Sequence, residues 1–179
     1  MMDEATWIQQ AQRGDMDAFA RLVSLYQAPV YNLAYRMLGE QMEAEDAAQE
    51  TFLRAFRNLS RYDPTRPFRN WILSIAANYC VDRIRRRRPA VALDDEATSE
   101  ALGMDPSDAV AAWETQERVQ RLMMRLSAED RAAVTLRYWY DCSYEEMAQI
   151  LGTTVSAVKS RLHRARLSLA QMMEESDGM

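Results

Sequence analysis

Apolar residues in this chain recur almost everywhere at helical spacing, and no stretch of useful length alternates apolar with polar as a half-buried strand would. From Ala18 to Leu38 the apolar positions are Phe19, Leu22, Val23, Tyr26, Val30, Leu33, Ala34, Met37 and Leu38, with Gly39 as a natural stop. Pro29 is expected to kink or divide that helix, because it lacks an N–H and its ring crowds the preceding turn. A second helix, about Glu43 to Leu59, sets Ala47, Ala48, Thr51, Phe52, Ala55, Phe56 and Leu59 on one side. Asp46, Gln49, Glu50, Arg54 and Arg57 lie on the other. Pro64 and Pro67 make the next few residues a loop. A third helix then runs from Phe68 to about Arg88, apolar at Trp71, Ile72, Ile75 and Ala76 and ending in arginines that suit its C-terminal dipole. Trp71 belongs on the apolar stripe and reads as core.

Residues 89–112 interrupt this pattern with six acids, no basic residue, and Gly and Pro as breakers. They are expected to form a linker between residues 1–88 and 113–179, which makes the fold all-α: two small helical domains. Helical spacing resumes through Val119, Leu122, Met123 and Leu126, and Ser127 with Asp130 predicts a cap opening the following helix. The final residues, Glu174 to Met179, are expected to fray.

The formal charge of −5 argues against a general nucleic-acid binder, but the average conceals two basic stretches. One is Arg83 with Arg85 to Arg88; the other runs from Lys159 to Arg166. Two cysteines, Cys80 and Cys142, are too few and too far apart for a disulfide framework or a metal cluster, and read as reduced thiols. Neither a secretory n-region nor a membrane-length apolar run is present. A soluble protein of the cytoplasm, with no direct membrane insertion, is the expectation.

The most specific local signal spans Ser143 to Leu169. Ser143 and Glu146 form a capping-box pattern for a short helix whose Met147, Ile150 and Leu151 face inward and whose end is marked by Gly152. After Thr153 and Thr154, the next helix places Val155, Val158, Leu162, Ala165 and Leu169 on one stripe. Ser156, Ser160, His163 and Arg164 point away from it, with Lys159 and Arg161 on the flanks. This is helix-turn-helix patterning, in which the second helix can enter a major groove. An ordinary amphipathic helix with a solvated basic face has the same period; the cap, the glycine and the basic outward face favour DNA. His163 has no second ligand near it and reads as a DNA-facing residue, not a metal ligand.

Three segments in order resemble the extracytoplasmic-function subfamily of bacterial RNA polymerase sigma factors. Asp46-Ala47-Ala48-Gln49-Glu50-Thr51-Phe52-Leu53-Arg54-Ala55-Phe56, and Phe68-Arg69-Asn70-Trp71-Ile72 leading to Asn78, Asp82 and Arg83, resemble the family's second region. Tyr144-Glu145-Glu146-Met147-Ala148 to Leu151-Gly152, then Val158 to Arg166, resemble its fourth. Pro64 and Pro67 stand in a loop where many members carry a glycine.

The resemblance implies a non-enzymatic promoter-recognition subunit without cofactors, answering stress or envelope signals. It implies docking on the β′ clamp helices, and contact with the β subunit, of core RNA polymerase. Asp46, Gln49, Glu50 and Arg54 are the docking candidates; on pattern alone they would be a solvated face. For minus-ten recognition it implies Tyr62 and Asn78 as the pocket for a flipped base, with Arg83, Arg85 and Arg86 on phosphates. For minus-thirty-five recognition it implies Ser156, Lys159, Ser160, Arg161, His163 and Arg164. The acidic linker is compatible with a basic polymerase channel or with plain solvation. An anti-sigma factor is the further partner implied. The alternatives are a free-standing helix-turn-helix regulator and, more remotely, an enzyme using Asp94, Asp95 and Glu96.

Overall fold

The computed structural model describes residues 3–87 and 108–178; all secondary structure among them is helical. The chain order is α1 (Glu4–Gln12), α2 (Met16–Leu38), α3 (Gln41–Asn58), a single 3₁₀ turn (Leu59–Arg61), α4 (Phe68–Arg87), α5 (Asp108–Met124), α6 (Ala128–Trp139), α7 (Tyr144–Leu151) and α8 (Val155–Asp177).

In the N-terminal half, α2 is the central element and packs against α1, α3 and α4. Its buried stripe of Leu22, Val30, Leu33 and Met37 meets Ala44, Ala47 and Ala55 of α3 and Ile72, Leu73, Ala76 and Ala77 of α4. Small residues on α3 and α4 let the larger side chains of α2 fill the space between helices, so packing density comes from alternating sizes. Asp15 caps the start of α2 by accepting from the N–H groups of Asp17 and Ala18 at 2.9 and 3.1 Å, and Gly39 ends it in the left-handed region at φ +78°.

In the C-terminal half, α6 and α7 pack on α8. The predicted stripe of α8 is its inner face: Val158, Leu162 and Ala165 are buried, and Val155 and Leu169 are half-buried at its two ends. The Ser127 hydroxyl accepts from Asp130 N–H at 3.2 Å as the cap of α6.

Three expectations about helix limits differ from the structure. Pro29 does not divide α2, which continues through it with Val30 and Leu33 buried just beyond; burial on that face outweighs one missing helical hydrogen bond. The last residues of the expected linker, 108–112, belong to α5, while the rest of the linker, with Asp94, Asp95 and Glu96, lies outside the described residues. Residues 174–177 do not fray, because Glu175 pairs with Arg125 at 3.3 Å and Asp177 with Arg118 at 2.5 Å, tying α8 to α5 and the turn that follows it. A further helix, α1, precedes these elements. Asp3 caps it by accepting from Thr6 N–H at 3.0 Å, its Ile8 and Ala11 are buried, and Tyr26 of α2 donates to the Glu4 carboxylate.

The two halves also pack on each other, with α4 against α6 and α7 and α2 against α5 and α6. Much of this contact is polar and directional. The last carbonyls of a helix have no partner within it, and here the other half supplies several. Gln120 Nε2 donates to the Tyr35 and Arg36 carbonyls at 3.3 and 3.2 Å, and Arg131 donates to Met37 O as well as to Met124 O and Leu126 O of its own half. Arg69 donates to Tyr140 O at 2.7 Å, while the Tyr140 hydroxyl donates to Pro29 O. Arg36 stacks over the Trp139 ring at 4.1 Å.

Candidate nucleic-acid and polymerase interfaces

The helix-turn-helix is built as its sequence implies. Ser143 and Glu146 cap each other's backbone, Ser143 N–H donating to the Glu146 carboxylate at 2.8 Å and Glu146 N–H to Ser143 Oγ at 3.1 Å. The Ser143 N–H, above all, holds the Glu146 carboxyl below the usual range. Gly152 closes α7 at φ +60°, and Thr154 opens α8 by accepting from Ala157 N–H at 3.1 Å.

On α8, Ser156, Lys159, Ser160, His163 and Arg164 are exposed and Arg161 is half-buried. Two of the cations are held from behind. Lys159 lies over the Tyr144 ring at 5.5 Å, and Arg164 pairs with the largely buried Asp130 at 3.0 Å. These contacts restrict long side chains while leaving their outer faces in solvent, which lowers the ordering cost of binding an anion.

On α4, Asn78 is exposed one turn above the arginine-rich end. Arg83 bonds Glu43 at 3.4 Å and the Tyr79 hydroxyl at 3.2 Å, and Arg87 pairs with the same Glu43 carboxylate. Arg85 pairs across the halves with Glu129 of α6, and Arg86 is exposed. Arg88 lies outside the described residues.

Tyr62 departs from the sequence expectation. Only 5 % exposed, its ring sits edge-on to Phe68 with centroids 5.3 Å apart and tilted against Trp71 at 5.0 Å. Its hydroxyl donates to Arg66 O, and Gln12 Nε2 donates to Tyr62 O at 3.2 Å. As folded, it presents no face on which a base could stack. It faces inward, where it closes an aromatic cluster that also holds the half-buried Trp71.

On α3, Asp46, Gln49 and Arg54 are exposed and Glu50 is half-buried, paired to Arg54 at 2.7 Å. Arg54 also lies 5.0 Å from the Tyr79 ring centroid. Sequence reasoning missed that apolar side chains share this surface: Met42, Leu53 and Phe56 are 64 %, 49 % and 45 % exposed. Phe56 had been assigned to the buried side, yet it rests edge-to-face on Phe19 at 5.2 Å with its other face open. The spacing of Met42, Gln49, Leu53 and Phe56 on one helical stripe was the available signal.

Cys80 and Cys142 are free and buried, and burial pushes the Cys80 thiol up to about 12, so it is a core residue. Among the described residues no three of His, Cys, Asp and Glu group as a metal site, and no helix is long and apolar enough to cross a membrane.

Comparison with known proteins places this geometry. Residues 22–90 match the family model for Sigma-70 region 2, and residues 116–169 match that for Sigma-70, region 4. The ECF RNA polymerase sigma factor SigW of Bacillus subtilis is 39 % identical over 178 residues, covering 94 % of this chain and 95 % of SigW. Among solved structures, CnrH in complex with the cytosolic domain of CnrY superposes with a TM-score of 0.73 at 27 % identity, covering 96 % of this chain and 97 % of that one. The sigma factor RpoE in complex with the anti-sigma factor NepR from Bartonella quintana, at 24 % identity and a TM-score of 0.66 over 87 % of this chain and 96 % of that one, shares the fold. Region 2 falls on α2–α4 and region 4 on the helix-turn-helix half, in order and with end-to-end similarity to SigW: the chain belongs to the extracytoplasmic-function family of RNA polymerase sigma factors.

Proposed function

We propose that this sigma factor docks on the β′ clamp helices of core polymerase through the exposed stripe of α3, with Met42 and Leu53 joining Asp46, Gln49, Glu50 and Arg54. A stripe mixing open apolar side chains with charges fits a partner helix better than it fits solvent. The observation that carries the functional reading is the outward face of α8, where serines, a histidine and basic side chains stand clear of an apolar stripe buried at Val158, Leu162 and Ala165. Ser156, Lys159, Ser160, His163 and Arg164 read or grip the minus-thirty-five element in the major groove, and Arg161 joins them from the flank.

The N-terminal half recognises the minus-ten element. Asn78 offers a donor and an acceptor to a base edge, and Arg83, Arg85 and Arg86 take duplex phosphates. Tyr62 acts by anchoring the loop that precedes α4, not by stacking on the base. The protein carries out no chemistry of its own: binding energy from base capture offsets the few kcal/mol of unstacking. It works in the cytoplasm, and an anti-sigma factor holds it inactive; of its structural neighbours, CnrH was solved in complex with the cytosolic domain of CnrY and RpoE in complex with the anti-sigma factor NepR. Residues 1–88 and 113–179 act as the two functional units, with α5 extending the second back to Asp108.

Run-off transcription with purified core polymerase tests this reading. The expected result is specific initiation that depends on this chain. Tight specific duplex binding by the chain alone, with no stimulation of polymerase, would instead mark a free-standing regulator.

A further inference from the structure

The two cations that flank the outward face of α8 are held by groups of different electrical character. Ser156, Ser160 and His163 lie between Lys159 and Arg164 around the helix. Lys159 rests on the Tyr144 ring at 5.5 Å, and Arg137 lies over the same ring at 4.9 Å. An aromatic ring restrains an ammonium group without cancelling its charge. Arg164 instead donates through Nη2 to the Asp130 carboxylate at 3.0 Å, the two side chains being 60 % and 11 % exposed. Both holds limit motion, but only the second neutralises the cation it holds.

Asp130 is itself anchored. Its N–H donates to Ser127 Oγ in the cap of α6, and Arg131, Ala132 and Ala133 after it are buried, so the carboxylate is carried on a fixed turn. It engages one of the five N–H donors of a guanidinium and leaves the others for an acceptor on the solvent side. A phosphate approaching this nearly neutral pair meets little net attraction and displaces few counterions. The uncharged O6 and N7 of a guanine are far less sensitive to the carboxylate behind, and they match the planar fork of an arginine held in one orientation.

We infer that Asp130 is a positioning residue for promoter specificity: it orients Arg164 and cancels its charge, so that Arg164 reads one base pair of the minus-thirty-five element while Lys159 supplies phosphate grip. This inference deepens the promoter-reading assignment made above and rests on it.

The test uses holoenzyme assembled from the full chain and core polymerase, with a random-sequence duplex library as the probe. Sequencing of the bound fraction reads the preference at each base pair, and a salt series on one enriched duplex reads the electrostatic slope. Asp130→Ala should lower the preference at a single base pair of the minus-thirty-five element by about fivefold or more and leave the others in place. Asp130→Asn keeps the shape, exposes the charge of Arg164, and should steepen the log–log slope by about 0.9. Lys159→Ala should make it shallower by about the same amount. Asp130→Asn with Arg164→Gln removes both charges of the pair, so it should lose the same single preference with the slope close to wild type. A preference lowered equally at every position, or at none, in Asp130→Ala would overturn the inference, as would an unmoved slope in Asp130→Asn. If Asp130→Ala does not fold, Asp130→Asn and the double variant decide the matter by the same two readouts. A wild type with no preferred base pair in this element removes the promoter reading along with the inference. Preferences that are present in the wild type but indifferent to Asp130 remove the inference alone.

Discussion

Replacing Tyr62 with alanine separates an anchoring role from a base-stacking one. A buried aromatic removes about 150–250 Å² from water, and at roughly 25 cal/mol per Å² this amounts to about 4–6 kcal/mol. Alanine recovers part of that, so the net loss is about 3–5 kcal/mol. The edge-on contact with Phe68 and the tilted contact with Trp71 place Tyr62 at the upper end of this range. A two-domain unit of this size loses about 2–4 °C of Tm per kcal/mol, so Tyr62→Ala should melt at least 6 °C below the wild type. Tyr62→Phe keeps the ring and loses only the hydroxyl bond to Arg66 O, which costs about 1 kcal/mol. Scanning calorimetry of the three proteins, with permanganate footprinting of the promoter in parallel, reads both roles. An unchanged Tm for Tyr62→Ala together with a defect in promoter melting would refute the burial argument and return Tyr62 to the base pocket.

Gln49→Ala with Leu53→Ala should weaken capture of core polymerase at an unchanged Tm, since both side chains are exposed; equal capture in a pull-down removes that face of α3 from docking. Glu43→Gln releases Arg83 and Arg87 from their shared carboxylate, and should steepen the salt dependence of promoter binding by one to two phosphate equivalents, roughly 0.9 to 1.8 in log–log slope. Because the carboxyl of Glu146 is depressed in the folded chain, its contribution to stability is present above the unfolded pKa and lost as pH falls through the folded one. Glu146→Ala should therefore cost about 1 kcal/mol at neutral pH, with the difference from wild type closing in acid, as read by urea denaturation across pH.

Helix positions and the helix-turn-helix were legible because each depends on nearby residues. Ser143, Glu146, Gly152 and the stripe from Val155 to Leu169 fix their own geometry within a few turns. Tyr62 was not legible in that way. Its direction depends on Phe68, Trp71 and Gln12, which come together only in the folded chain, and a loop aromatic looks the same in sequence whether it faces in or out. The helix α1 was obscured by its polar composition, although Asp3 followed by Ile8 and Ala11 held the cap and the apolar spacing. The end of α8 was misjudged for a related reason. The ion pairs of Arg118 and Arg125 with Asp177 and Glu175 join residues fifty or more positions apart. Several of the bonds that join the two halves are side chains donating to backbone carbonyls, and carbonyls carry no sequence signature.

Gly39 limits how this protein can be recombined. Its backbone conformation already excludes most side chains, and the thioether of Met124 fills the space above it from the other half. A chimera joining this N-terminal half to a relative's C-terminal half inherits that fit only if the incoming residue at the Met124 position is equally slender and pliable. A branched or aromatic side chain there would lose that fit and hold the halves apart, whatever promoter its new recognition helix preferred.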